Sequence, residues 1–379
     1  MGRAREAYNT IEPRGEVFRQ LAQTMVVEKK GADLQTLLDV HRFNAVGDPI
    51  VIHYEAYAKL LNKDFGPALT LWSQAWQKQS DPIQKQQYVR DIALAVYNAG
   101  RGLDGYRAAP DKQVAFEALA SHLVAKKKPD ELLMLLTEHG KQHANNPWRT
   151  FYAGELALLR GDVAEAEQCF AGALDGASST QRWQFRRGLQ RAQIAAGKTM
   201  LAYRDAGGYT RAFEELAQLC ADAKNPKQLS ALIAEHRKND PDDPVLLGWE
   251  IEASWLSGDY AKTLDEITKH QGELKRQLRF GDKFDGYLIR CLVKLNRAAD
   301  AVREADAWAK AQRFRGGLFQ VLAHAAAGDV KAAIDLGSQS GANRFTLEVW
   351  YADPDLGPLL RGDAMKAFRQ RFPDPKPGL

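Results

Sequence analysis

Two stretches of the chain, 97 residues apart, match at their apolar and helix-start positions: AFEALASHLVAKKKPDELLMLLTEHGKQHANNP begins at Ala115 and AFEELAQLCADAKNPKQLSALIAEHRKNDPDDP begins at Ala212. Their apolar positions recur every three or four residues, which is the period of an amphipathic helix. The identical pairs include Phe116/Phe213, Leu119/Leu216, Ala120/Ala217, Pro129/Pro226, Leu132/Leu229, Leu135/Leu232, His139/His236 and Pro147/Pro244. A repeat of this length predicts a helical array rather than one compact core.

A third copy lies upstream, at a shift of 98 residues. Phe18, Leu21, Ala22, Leu34, Leu37, His41 and Pro49 align with Phe116, Leu119, Ala120, Leu132, Leu135, His139 and Pro147. A unit of about 97 residues fits three helical hairpins of roughly 34 residues each. We therefore divide the chain into super-repeat 1 (14–111), super-repeat 2 (112–208) and super-repeat 3 (209–312). Residues 1–13 are then a remnant helix of a preceding repeat, and 313–379 a final hairpin with a C-terminal cap.

Helix starts and tight turns recur within the units. An N-cap residue followed by proline stands at Asp48-Pro49, Asn146-Pro147 and Asp243-Pro244, the arrangement favoured at a helix start. Tight turns are predicted at Asn62-Lys63-Asp64, Arg160-Gly161-Asp162, Ser257-Gly258-Asp259 and Ala327-Gly328-Asp329. No segment alternates as a strand would, so the predicted fold class is all-α.

The middle hairpin of super-repeat 2, NPWRTFYAGELALLRGDVAEAEQCFAGAL, resembles the tetratricopeptide repeat family. The residues that carry the resemblance are Gly154, Gly161, Ala166, Phe170 and Ala173, with Ala56, Phe65, Ala68, Trp72 and Ala75 in super-repeat 1. Small residues let two helices approach closely, and aromatic residues fill the spaces between hairpins. The resemblance implies a right-handed α-solenoid of about ten hairpins with a C-terminal capping helix, acting as a protein-binding scaffold or adaptor on its concave face.

The composition sets further limits. Fifty-two basic and 48 acidic residues leave a formal net charge of +4, which does not by itself indicate a polyanionic partner. Cys169, Cys220 and Cys291 are widely spaced, which argues against a disulfide framework or a zinc site. No secretory signal or membrane-spanning run is present. We expect a cytoplasmic protein, and the Ala-, Leu-, Arg- and Asp-rich composition is typical of bacteria.

No motif predicts catalysis, a cofactor or a metal. Gly197-Lys198-Thr199 resembles the end of a phosphate-binding loop, but that loop needs an earlier glycine where Ala192 stands. The recurring His41, His139 and His236 could be ligands or proton switches, although a packing role is favoured. We therefore predict a protein that is not an enzyme, with no cofactor and no metal.

Partner binding is predicted for aromatic and cationic side chains on the first helices of the hairpins, which normally line the concave surface in the family. The candidates are Tyr54, Tyr57, Trp148, Phe151, Trp249, Trp255, Arg182 and Arg186. Periodicity predicts that about half of the aromatic residues are buried. The Lys/Asn clamp by which some family members hold a C-terminal carboxylate is absent at His53, Tyr57 and Leu61, so binding to chaperone tails is disfavoured.

Two alternatives stay open. Ala7-Tyr8 aligns with Gly105-Tyr106, so the chain begins in the middle of a unit; it could be the regulatory or sensor portion of a larger enzyme or signalling protein, with a further domain N-terminal to it, or have a degenerate cap. The Arg182/Arg186 cluster beside Trp183 could instead indicate a nucleic-acid-binding helical repeat. We favour a solvated helix or a groove for an acidic peptide over nucleic acid at this cluster. No polar pair recurs in every hairpin, as a base-reading code would need.

Overall fold

The computed structural model describes Tyr8 and residues 14–44, 48–208, 210–274, 281–311 and 317–375. Within these residues all regular elements are helical and none is a strand, so the all-α prediction is confirmed. The helices are α1 (Arg14–Val27), α2 (Gly31–Asn44), α3 (Pro49–Leu61), α4 (Phe65–Lys78), α5 (Pro82–Val96), a π-helix (Tyr97–Arg101), α6 (Asp104–Ala108), α7 (Lys112–Ala125), α8 (Pro129–Gly140), α9 (Pro147–Arg160), α10 (Val163–Asp175), α11 (Ser179–Ala195), α12 (Thr199–Asp205), α13 (Thr210–Asp222), α14 (Pro226–Asn239), α15 (Val245–Leu256), α16 (Tyr260–Leu274), α17 (Gly281–Lys294), α18 (Ala298–Ala311), α19 (Leu318–Ala326), α20 (Val330–Gln339), α21 (Arg344–Ala352), α22 (Leu356–Arg361), a 3₁₀ turn (Asp363–Met365) and α23 (Lys366–Arg371).

Consecutive helices pack as hairpins wherever a small residue faces a large one. The Phe170 ring of α10 lies so close to Gly154 of α9 that an added Cβ would come within 2.9 Å of it. Phe170 is fully buried. In super-repeat 1 the corresponding pair is Ala56 and Trp72, also fully buried. The small-and-aromatic pattern therefore sets how closely the two helices of a middle hairpin approach.

The helix ends follow the predicted caps. The side chains of Asp48 and Asn146 accept hydrogen bonds from the backbone N–H groups of Ile50 and Trp148 at the starts of α3 and α9. Between the two helices of a hairpin the chain turns through a left-handed residue, as at Gly161, where φ is 82°. Such a residue ends a helix and leaves room for the next to begin.

The chain folds as two compact units, Met1–Ala192 and Gln193–Leu379. In the first unit, aromatic side chains such as Phe18, Trp72, Phe116 and Phe170 lie at the centre of the core. In the second unit, Phe213, Trp249 and Phe284 do so. The division falls inside α11, within super-repeat 2, and so does not coincide with a predicted super-repeat border.

The C-terminal segment is more divided than the single predicted capping helix. The short helices α21, α22 and α23 pack on α19 and α20 through Trp350, Tyr351, Leu360 and Phe368. Prolines at positions 354 and 358 and glycines at 357 and 362 interrupt the helical run. A half-buried ion pair fixes the segment to α17, because the guanidinium of Arg290 contacts a carboxylate oxygen of Asp353 at 2.6 Å.

Candidate functional site

Within each of the two compact units, the outward sides of the first helices of the hairpins are what we call the first-helix face. It comprises α1, α3 and α5 in super-repeat 1, α7, α9 and α11 in super-repeat 2, and α13, α15 and α17 in super-repeat 3. The aromatic partner-binding candidates lie on α3, α9 and α15, and the two arginines on α11. Each helix turns one side toward its hairpin partner, so only part of its circumference faces outward.

The structure separates the eight predicted partner-binding residues into two groups. Tyr54, Tyr57, Phe151 and Trp249 are buried members of the core, because they lie on the sides of α3, α9 and α15 that meet neighbouring helices. These four therefore present little or no surface to a partner. The set that remains accessible consists of exposed Arg182 and Arg186 and half-buried Trp148 and Trp255.

The two accessible tryptophans are held in place by other rings. Trp148 meets Phe185 of α11 edge-on, with ring centroids 4.9 Å apart. Trp255 stacks on Tyr287 of α17, with centroids 4.3 Å apart. A half-buried ring fixed by a neighbour loses little side-chain entropy when a partner covers its remaining face, so both are suited to be anchors.

One position of the first-helix face differs sharply between super-repeats. Glu155 in super-repeat 2 forms a hydrogen-bonded ion pair with Arg191. Its counterpart Glu252 in super-repeat 3 is also buried, with its carboxylate 2.6 Å from the ammonium of Lys283 and 3.0 Å from the hydroxyl of Tyr287. In super-repeat 1 the same position is Tyr57, so no internal ion pair forms there.

A cavity of about 650 Å³ opens beside Tyr57. It lies where α1, α3 and α5 end, and its lining is mainly apolar; the apolar residues are Val26, Tyr57, Leu60, Leu61, Phe65, Leu94, Ala95 and Ala99. The polar residues that line it are Lys29, Lys63, Asp91, Asn98 and Arg101. Asp91 is already engaged, since its carboxylate lies 3.2 Å from Nε2 of buried His53. The volume is within the range of ligand-binding clefts.

The recurring histidines occupy a buried junction between hairpins. In each super-repeat the imidazole stacks on a phenylalanine of the first helix and meets a tyrosine hydroxyl of the preceding hairpin through Nδ1. The stacked centroids are 3.9 Å apart for Phe18/His41, 3.9 Å for Phe116/His139 and 4.1 Å for Phe213/His236. The hydroxyl-to-Nδ1 distances are 2.5 Å for Tyr8/His41, 3.0 Å for Tyr106/His139 and 2.7 Å for Tyr203/His236. These contacts agree with the packing interpretation.

The residue that faces Nε2 of the histidine, Asn146 or Asp243, decides whether that nitrogen carries a proton. Asn146 accepts the N–H of Trp148 through Oδ1, which leaves its Nδ2 to donate to Nε2 of His139; His139 must then carry its proton on Nδ1. In super-repeat 3 Nε2 of His236 lies 2.9 Å from the carboxylate of Asp243, which can only accept. Nε2 of His236 therefore carries a proton, whereas Nε2 of His139 does not.

Burial and neighbouring charge tune the junctions differently. Burial, together with the neighbouring His143 and Arg149, lowers the pKa of His139 to about 4. Burial also lowers the pKa of His41. For Asp243, burial raises the pKa, but hydrogen bonds from His236, from the backbone of Val245 and from Thr210 outweigh it, so the net pKa is lowered. Asp243 is therefore an ionised partner of its histidine.

The other sequence features have structural explanations. Gly197 of the Gly-Lys-Thr tripeptide has φ 77° and ends α11, while the buried Thr199 hydroxyl donates to Gln228, so the tripeptide is a turn between helices. Burial raises the pKa of Cys220 to about 11 and of Cys291 to about 12, which leaves both as unreactive thiols.

One group of side chains has the spacing of a metal site. His236, Asp240 and Asp243 present ligand atoms within 4.8 Å of one another. His236 and Asp243 are, however, the histidine and N-cap of a junction that super-repeat 2 builds with Asn146. We therefore interpret the group as a structural contact.

Sequence reasoning missed several exposed positions. Trp183 of α11 is 58% exposed, and the guanidinium of Arg187 lies over its ring at 5.7 Å. Trp183 belongs to the predicted basic cluster. Phe185 and Gly188, three residues apart, share the buried side of α11, and this spacing could have placed Trp183 on the opposite side of the helix. Lys29 and Lys63 were also missed, because exposed lysines in turns carry no sequence signal of their own.

Tandem helical hairpins, in which small residues admit an aromatic ring from the neighbouring helix, define an all-α helical-repeat protein. A scan against models of protein families and a search of curated proteins both find no match. Among solved structures, the chain is similar to the APC/C hetero-tetramer Cut9–Hcn1, at 12% identity over 96% of this chain and 88% of that chain, with a TM-score of 0.35. It is also similar to the TPR domain of P58(IPK), at 12% identity over 94% of this chain and 98% of that chain, with a TM-score of 0.26. None of the described helices has the length and apolar character of a membrane span.

Proposed function

We propose that the protein is an interaction scaffold that binds a partner protein or peptide on its first-helix face, without catalysing a reaction. The observation that carries the proposal is the pair of half-buried, ring-supported tryptophans on this face, Trp148 and Trp255. Aromatic anchors of this kind dominate the binding energy of protein interfaces. The exposed Arg182 and Arg186 add charge that can select an acidic partner.

A double variant tests the proposal. Trp148→Ala/Trp255→Ala should lose the partners that the wild-type protein captures in affinity purification, because truncating a central anchor costs about 2 kcal/mol or more of binding energy. Circular dichroism should show unchanged helicity, since neither ring lies at the centre of the core.

Trp76→Ala is the matched control. Trp76 is also half-buried but lies on α4, a second helix, so its loss should leave the captured partners unchanged. Unchanged capture by the double variant, or equal loss by the control, would contradict the proposal. If the partners were nucleic acids, their capture would weaken steeply with salt.

A further inference from the structure

The cavity of super-repeat 1 is open, whereas its counterparts in the other super-repeats are filled. Tyr57 and Leu94 line the cavity. At shifts of 98 and 97 residues the corresponding residues are Glu155 and Arg191, whose ion pair occupies the equivalent place. In super-repeat 3 Glu252, Lys283 and Tyr287 form a comparable polar plug.

The backbone that surrounds the position is shared. Val26, Leu60 and Leu61 of the cavity recur as Val124, Leu158 and Leu159 in super-repeat 2. The difference therefore lies in the plug residues and not in the frame of helices. An apolar recess left half-buried and unfilled is a common mark of a binding surface.

Some of the charged side chains at the cavity have a partner of opposite charge and others do not. Asp91 is paired with His53, and Arg101 with Asp104 at 2.8 Å. Lys29 and Lys63 are exposed, and neither ammonium has an ion pair or hydrogen bond within the part of the chain that the structure describes. The available charge at the rim is thus positive, above an apolar floor.

Both lysines occupy a backbone conformation that suits glycine better. Lys29 has φ 56° and Lys63 has φ 65°, whereas the residues equivalent to Lys63 are Gly161 at 82° and Gly258 at 76°. A left-handed conformation is unfavourable for a residue with a Cβ. The strain at Lys63 is consistent with a use for its side chain at this turn. Lys29 shares its left-handed conformation with its counterparts Lys127 and Lys224.

We propose that the cavity of super-repeat 1 binds an acidic, hydrophobic segment of a partner protein. Large apolar side chains of the segment fill the floor over Leu61, Phe65 and Leu94, and its carboxylates pair with Lys29 and Lys63. Charge complementarity selects this occupant over a basic segment, which would place like charges together. The inference rests on the proposed scaffold function and names the chemistry of its partner.

Fluorescence anisotropy with short labelled peptides tests the proposal. The probe contains Leu with Asp and Glu; one matched peptide carries Lys in place of every acid, and another carries Ser in place of every Leu. The full-length protein should bind the acidic leucine peptide and bind both matched peptides at least about tenfold more weakly. Equal binding of all three, or no binding of the first, would overturn the proposal.

Variants at the rim test the site itself. Lys29→Gly/Lys63→Gly should weaken binding of the acidic leucine peptide about five- to tenfold, the effect of two partly exposed ion pairs, without lowering the melting temperature. Lys127→Gly is the matched control, because Lys127 is the counterpart of Lys29 with φ 52° beside a filled site. Loss of binding in the control, or none in the double variant, would place the peptide elsewhere.

Transplanting the plug gives an independent test. Tyr57→Glu/Leu94→Arg should rebuild the ion pair of super-repeat 2 in super-repeat 1 and abolish peptide binding, with helicity as a check on folding. Retained binding would show that the cavity is not the site. If the peptide fails to bind while Trp148→Ala/Trp255→Ala still removes captured partners, the partner chemistry is wrong and the scaffold function stands.

Discussion

Super-repeats 1 and 2 have the same frame of helices but differ in what lies between their first helices. Both stack a phenylalanine on a histidine at the hairpin junction, and both place a large aromatic residue, Trp72 or Phe170, behind a small one. At the first-helix face super-repeat 2 has the Glu155–Arg191 ion pair, and super-repeat 1 has an apolar cavity. The contacts that build the fold are repeated, and the residues that fill its surface are not.

A second comparison concerns the junctions. Super-repeats 2 and 3 keep the Tyr–His contact and the Phe–His stack but change the N-cap residue from Asn146 to Asp243. This change places a proton on Nε2 of the histidine and gives one junction an ionised partner. Sites that are equivalent in packing are therefore not equivalent in their response to pH.

Removing the phenylalanine of the shared Phe–His stack is expected to have the largest effect on stability. Phe116→Ala and Phe213→Ala each remove a fully buried ring that supports a histidine, so each should lower the free energy of unfolding by about 3–5 kcal/mol. Urea unfolding followed by circular dichroism measures the loss. Trp183→Ala, at an exposed ring, should change it by less than about 0.5 kcal/mol. Losses that differ strongly between the two phenylalanines would break the equivalence of the junctions.

The repeated part of the molecule could be predicted from the sequence, and the part that differs could not. Phe116, His139 and the helix caps recur at a fixed spacing, so their identity alone indicated the all-α fold and the hairpin ends. In super-repeat 3 the third hairpin follows a different shift: Phe284 and left-handed Asn296 correspond to Phe185 and Gly197 at 99 residues. The structure sets this register, because the left-handed Asn296 marks where the hairpin turns.

The candidate site was harder to predict, for a physical reason. Helical periodicity indicates which residues share a side of a helix, but not whether the next hairpin covers that side. Tyr54 and Trp249 are consequently buried, whereas Trp148 and Trp255 keep an accessible face. The cavity exists because Tyr57 and Leu94 cannot form the ion pair that the corresponding residues form in super-repeat 2.

Exchanging the N-cap residues should exchange the pH responses, with a smaller effect on stability. The folded protein holds His139 with a pKa of about 4, against 6.5 for the ordinary group. Between these values the unfolded chain binds more protons, so the contribution of this junction is complete above pH 6.5 and falls, by on the order of 2 kcal/mol, as the pH drops toward 4. Asp243 has a lowered pKa, so its contribution is lost only below the ordinary value of 3.8.

Asn146→Asp should raise the pKa of His139, because a carboxylate stabilises the imidazolium. The variant should then be more stable than the wild type at pH 5 and little changed at pH 7. Urea unfolding at both values, with the histidine titration followed by NMR, measures this. Asn146→Asp made in a His139→Gln background is the control and should show no such gain. A gain there would assign the effect to the helix cap rather than to the junction.

The smallest expected effect on stability concerns the turns of the middle hairpins in super-repeats 1 and 2. Lys63 has φ 65° where super-repeat 2 has Gly161 at 82°. Because glycine has no Cβ to clash with the following carbonyl, Lys63→Gly should raise the free energy of unfolding by about 1 kcal/mol. The converse change, Gly161→Lys, should lower it by a similar amount. Thermal unfolding of the two variants beside the wild type measures both. Lys63→Gln removes the charge but keeps the Cβ and should have no effect, so a gain in that variant would show that charge at the turn, and not the left-handed backbone, distinguishes super-repeat 1 from super-repeat 2.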